Sequence, residues 1–122
     1  MRKVERFEDL IAWQKAKHFA KEIYLVSRSS PFQLDRRFVS QIQSAAVSVM
    51  SNIAEGYERG SPTDFHRFLV IAKASCAEVR SQLYLAYDIG YLSDCEFRRL
   101  LSLAEEISRI IGGLRVAVKK TC

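Results

Sequence analysis

Apolar residues recur along this chain at three- and four-residue steps in four separate stretches, and that spacing gathers them onto one face of a helix each time. Leu10, Trp13, Ala16, Ala20, Ile23 and Tyr24 form the first stripe, which predicts a helix from about Phe7 to Arg28. Ser29-Ser30-Pro31 ends it, because proline lacks an amide hydrogen and disfavours helical backbone in the residue before it. The second stripe, Phe38, Ile42, Ala45, Ala46, Val49 and Ile53, predicts a helix over about residues 33–55. Its alanine-rich middle allows a neighbouring helix to approach closely. Gly56 suits the left-handed position just past its end.

The third helix carries the clearest start: Ser61 as cap, Pro62 at the first helical position, and Asp64 opposite the positive end of the helix dipole. Phe65, Phe68, Leu69, Ala72, Cys76, Val79, Leu83 and Ala86 then keep one face apolar over residues 62–89, with Gly90 just beyond. Ser93-Asp94-Cys95-Glu96 reads as a capping box that opens a fourth helix over residues 94–118. Gly112-Gly113 is expected to weaken its last turns. Four long amphipathic helices joined by short connections predict an all-α, antiparallel up-down-up-down four-helix bundle, a single domain over residues 1–122.

Composition narrows the class. With 48% hydrophobic and 27% charged residues the chain is ordinary for a globular domain, and its 122 residues build a core without staples. No apolar run approaches the roughly 18 residues of a membrane span, and the charged start lacks the apolar stretch of a secretory leader. A cytoplasmic protein without membrane association is expected. Cys76, Cys95 and Cys122 are odd in number and scattered, so they make neither a disulfide framework nor a CxxC pair. Cys95 falls near a helix N-terminus, where the dipole lowers a thiol pKa.

The spacing of ligating residues excludes common metal chemistry. A ferritin-like site needs paired Glu-x-x-His motifs, and neither His18 nor His66 has a glutamate three residues before it. The two histidines and three cysteines match no zinc spacing, and no Gly-x-Ser-x-Gly turn presents a nucleophile. No metal and no cofactor is expected. One enzymatic alternative stands on residue type: Arg59 and His66 resemble the Arg-x(4 to 6)-His signature of helical ribonucleases. There the histidine serves as acid or base, and the arginine stabilises the phosphorane charge.

Several short runs occur in a recognisable order: Asp9-Leu10, Trp13-Gln14-Lys15-Ala16, Ile23-Tyr24, Gln41-Ile42, Ala45-Ala46, and Ser51-Asn52-Ile53-Ala54-Glu55-Gly56. Phe68-Leu69, Ala72, Ser75, Glu78, Leu83 and Gly90-Tyr91-Leu92 continue the series. In these the chain resembles the bacterial four-helix-bundle family encoded in intervening sequences of 23S ribosomal RNA genes, whose relatives include the accessory protein of diversity-generating retroelements. The resemblance implies a ring-shaped homopentamer without catalysis, and by analogy with the retroelement members a partner that is nucleic acid or a nucleoprotein. Two departures stand out. Gln43 and Ser44 replace a pair of arginines common in relatives, which removes two positive charges, and Met50 replaces a proline that would kink the second helix.

The residues leave three roles open. The charge of +5 permits polyanion binding, and its distribution nominates Lys17, Lys21 and Arg28 on the first helix with Arg67, Lys73 and Arg80 on the third; solvated helix faces would account for the same charges. Asn52 and Glu55 share a helix face next to Gly56, and a carboxylate near the carbonyl end calls for a partner such as Arg59, within a packing contact, a subunit contact or a ligand site. Tyr57 and Tyr91 are expected at connections, where they would serve a subunit interface. The expected function is a noncatalytic oligomeric interaction module that binds RNA or DNA, or a nucleoprotein, through basic helix faces. A scaffold binding only proteins is the alternative.

Overall fold

The structure, a computed structural model, describes residues 3–122. Its four long helices are α1 (Ile11–Val26), α2 (Arg36–Glu58), α3 (Pro62–Asp88) and α4 (Asp94–Lys119), with short 3-10 turns at Phe7–Asp9 and Phe32–Leu34. No strand occurs among the described residues.

The side-chain pairings establish the antiparallel order. Along the α3/α4 contact, His66 meets Arg115, Lys73 meets Ser108 and Cys76 meets Ala104, so numbers rise on one helix as they fall on the other. Lys15 with Glu106 and Glu22 with Arg99 show the same for α1 and α4. Each helix packs on the next in sequence, and α4 returns to α1, which closes an up-down-up-down bundle with α1 and α3 on its diagonal. Ala16, Ile23, Ile42, Ala46, Val49, Leu69, Ala72, Leu83, Leu100 and Ile107 are wholly removed from solvent in the shared core. Burial of each larger aliphatic side chain contributes about 1.5–3 kcal/mol.

Local capping accounts for the starts that the sequence marks. Ser61 accepts from the Asp64 amide at 3.1 Å with Pro62 in the first turn. Ser93 and Glu96 exchange both bonds of a capping box, at 3.1 and 2.9 Å. Gly90 takes the left-handed conformation (φ +83°) beyond α3.

The bounds of the first two helices, and the places of Gly56 and Tyr57, are corrected. The first helix does not begin at Phe7: Leu10 is extended (ψ 124°) between the 3-10 turn and α1, and Phe7 folds back edge-on against Trp13 at 5.1 Å. It closes at Val26, where the buried Ser27 hydroxyl donates to the Ile23 carbonyl at 2.8 Å, and Arg28 lies in the turn that follows. The second helix starts after residue 33, at Arg36, where Asp35 caps it by accepting from the Phe38 amide at 3.2 Å. It also runs past Gly56 to Glu58. Gly56 is a buried helical residue, and the left-handed glycine in this connection is Gly60 (φ +83°). Tyr57 accordingly lies inside the last turn of α2, edge-on to Phe65 at 5.8 Å, rather than in a connection. α4 runs through Gly112 and Gly113 to Lys119, so the expected weakening of its last turns is one of stability and not of extent.

Candidate nucleic-acid interface

His66, Lys73 and Arg80 recur every seven residues on α3, a step of about 10.5 Å along the axis that brings each back to nearly the same side. That side faces α4. Arg115 Nη1 donates to His66 Nε2 at 3.3 Å, Lys73 Nζ donates to Ser108 Oγ at 3.3 Å, and Arg80 Nη2 lies 4.0 Å from Glu105 Oε2. The α4 wall is low here, because Ser108 and Gly112 are small and the Lys73 stem lies along Gly112. Between the helices runs a groove of about 360 Å³ lined by Val70, Lys73, Ala74, Ala77, Arg80, Ser108 and Arg115.

The electrostatics of this seam lean positive. The groove lining holds three cations and no carboxylate, and Glu105, 4.0 Å from Arg80, stands beside it. Arg80 Nε is buried without a hydrogen-bond acceptor, an unfavourable state for a guanidinium nitrogen. The α1/α4 seam is balanced by contrast, with Lys15 3.4 Å from Glu106 and Arg99 paired with Glu22.

The other nominated cations lie elsewhere. Lys17, Lys21 and Arg28 are exposed, and the Lys17 ammonium sits 5.6 Å from the Trp13 ring centroid. Because α1 and α3 are diagonal, this row and the α3 row occupy different sides of the bundle. Arg67 is committed locally, 3.0 Å from Asp64 and over the Phe68 ring at 5.3 Å.

Asn52 and Glu55 meet different surroundings. Asn52 Nδ2 donates to the Ser48 carbonyl at 2.8 Å and lies 2.9 Å from Ser48 Oγ, which itself bonds Ser75 of α3 at 2.8 Å. Glu55 is exposed and has no ion-pair partner among the described residues. Arg59, its expected partner, packs its guanidinium over Phe68 at 5.1 Å. Arg59 and His66, the residues of the ribonuclease alternative, therefore engage different neighbours, Phe68 and Arg115. Gln43, in place of an arginine of relatives, donates to Ser27 Oγ at 2.9 Å across the α1/α2 contact, while Ser44 is exposed.

Sequence reasoning missed Arg115 and the place of His66 in line with Lys73 and Arg80. The seven-residue recurrence was available in the sequence, but which side α4 covers follows only from helix pairing. No group of three His, Cys, Asp or Glu side chains among the described residues is arranged to hold a metal. No helix among them is long and apolar enough to cross a membrane.

These features define an all-α bundle with one cationic interhelical seam. Residues 8–113 match the family model of the 23S rRNA-intervening sequence proteins, and the chain belongs to that family. The fold is similar to the crystal structure of a protein of unknown function from the S23 ribosomal protein family of Bacteroides thetaiotaomicron. That likeness has a TM-score of 0.79 at 22% identity and covers 86% of this chain and 98% of that one. No curated protein matches the chain.

Proposed function

We propose that this protein is a noncatalytic, self-associating module that binds nucleic acid through the α3/α4 seam. The observation that carries the reading is the groove whose lining holds Lys73, Arg80 and Arg115 and no carboxylate. Phosphate oxygens are acceptors of the required charge, and arginine binds them through its planar fork. Membership of a family named for 23S rRNA intervening sequences is in keeping with an RNA ligand. Self-association is supported by Ile71 and Leu85 on α3 and Ile89 just past its end, three large apolar side chains left exposed outside the groove. Repetition of the seam around an oligomer would multiply a modest single-site affinity.

Binding of structured RNA across a salt series tests the reading, with RNA integrity followed in the same samples and mass measured by light scattering. Affinity should fall steeply with salt, and Lys73→Gln with Arg80→Gln should lower the logarithmic salt slope by about two. Intact RNA throughout accords with the noncatalytic part. Absence of binding at low salt would remove the nucleic-acid reading and leave a scaffold for protein partners.

A further inference from the structure

The cationic row of α3 runs directly into aromatic side chains. One turn beyond Arg80 stands Tyr84, half exposed, and the next seven-residue step of the row is Tyr87. Phe97, in the first turns of α4, organises both rings. Tyr87 stacks on it with centroids 4.4 Å apart and planes 9° apart, and Tyr84 meets it edge-on at 5.3 Å. The Tyr87 hydroxyl donates to Asp94 Oδ1 at 3.0 Å, which fixes that ring in its plane. Three aromatic side chains thus form a rigid cluster at one end of the seam, with two tyrosines left at the surface where ordinary packing would cover them.

We infer that the α3/α4 seam takes a single strand of nucleic acid, with phosphates along Lys73, Arg80 and Arg115 and a base stacked at the Tyr84/Tyr87 cluster. The inference rests on the nucleic-acid reading above and adds to it the form of the ligand. Cations that track a backbone beside rings that receive bases are the two components of single-strand recognition, and every base offers a π-face. Duplex bases are already stacked on one another, so the aromatic end has nothing to offer a helix. Length agrees as well. Lys73 to Tyr87 spans roughly 21 Å of α3, the rise of about six stacked nucleotides at ~3.4 Å each. Arg80, one turn from Tyr84, is partly exposed and stands where a phosphate next to a stacked base would meet the outer part of its guanidinium.

The test compares fluorescein-labelled oligouridylate and oligodeoxythymidylate of about twelve nucleotides with a hairpin duplex of equal phosphate count. Each is titrated by anisotropy at low salt against the full chain, Tyr84→Ala, Tyr84→Phe and the Lys73→Gln/Arg80→Gln pair. Both single strands should bind more tightly than the duplex, by about fivefold or more. Tyr84→Ala should weaken them by about tenfold, while Tyr84→Phe, which keeps the π-face, retains their affinity. Preference for the RNA strand over the DNA strand would assign the source; equal affinity would assign recognition to phosphate and base alone. Circular dichroism of the Tyr84 variants separates lost binding from lost fold. A duplex bound as tightly as the strands, with Tyr84→Ala silent and the Lys73/Arg80 variant weakened, overturns the inference and leaves the nucleic-acid reading intact. Failure of every oligonucleotide to bind overturns both.

Discussion

Gly56 of α2 faces Phe68 of α3 so closely that a Cβ built on the glycine would lie 2.5 Å from the phenylalanine Cβ. Phe65 Cδ1 would stand 3.2 Å away on the same side. Alanine is favoured over glycine in a helix by about 1 kcal/mol, but here that preference meets a contact to a Cβ, which moves only with its backbone. Overpacking of this kind costs about 1–3 kcal/mol, so the steric effect wins. Gly56→Ala is expected to destabilise the protein by about 1–2 kcal/mol in urea denaturation. Gly113→Ala, on the same chemistry but with nothing within 4 Å of the new Cβ, should stabilise it by about 0.5–1 kcal/mol.

Asp35 holds two elements with one carboxylate. Its Oδ1 caps α2 through the Phe38 amide, and its Oδ2 accepts from the Tyr91 hydroxyl at 2.7 Å, beside a ring stack of Phe32 on Tyr91 at 5.0 Å. Asp35→Ala should therefore cost more than the ~1 kcal/mol of an ordinary cap. The hydrogen bond to Asp35, then burial, then the carboxylate charge raise the Tyr91 pKa above its ordinary 10.0. The fold thus holds this proton more tightly than the unfolded chain does. The stabilisation is complete below pH 10 and is lost as pH rises through the higher folded value. Thermal melts above pH 10 should show a decline that is shallower in Tyr91→Phe, which has no proton to lose.

Thiol chemistry should divide the cysteines. Burial pushes Cys76 up to about 11 against the weaker opposing charges of Arg80 and Lys73, and its Sγ donates to the Ala104 carbonyl at 3.3 Å. Cys95 and Cys122 are exposed. A chromogenic disulfide reagent at neutral pH is expected to titrate two thiols in the folded protein and a third only after denaturant is added. Rapid reaction of all three would show that the α3/α4 contact opens around Cys76.

Glu105 competes for Arg80 with any anion in the seam. The pair is loose, at 4.0 Å and partly exposed, so it stabilises the fold by no more than about 1 kcal/mol. Glu105→Gln should leave the melting temperature nearly unchanged while tightening polyanion binding by up to about fivefold. An unchanged affinity would show that Arg80 does not contact the ligand.

Features set by a few consecutive residues were legible in the sequence. Ser61-Pro62 and the Ser93/Glu96 box announce helix starts because the bonds they make reach only three residues ahead. The four apolar stripes likewise gave the bundle. Gly56 shows where that legibility stops. A glycine three residues past Ile53 looks like a terminator, yet it continues the buried face of α2, and its reason is Phe68 on another helix. The candidate site was legible in the same partial way. Lys73 and Arg80 are visible as a recurrence, but Arg115 joins them only once α3 and α4 are set side by side, and Tyr84 and Tyr87 become a surface cluster only when Phe97 is beneath them. The shared face of Asn52 and Glu55 does not say what stands opposite each: Ser48, itself bonded to Ser75, engages Asn52, while Glu55 is exposed.

The diagonal arrangement of α1 and α3 bears on what a polymer could do with this protein. A strand seated on the Lys73/Arg80 row cannot reach Lys17, Lys21 and Arg28 without crossing over α2 or α4, so the two rows address separate segments. If both rows engage, each copy is a bridge, and its natural product is a looped or tethered polymer with the bundle as the knot between two stretches.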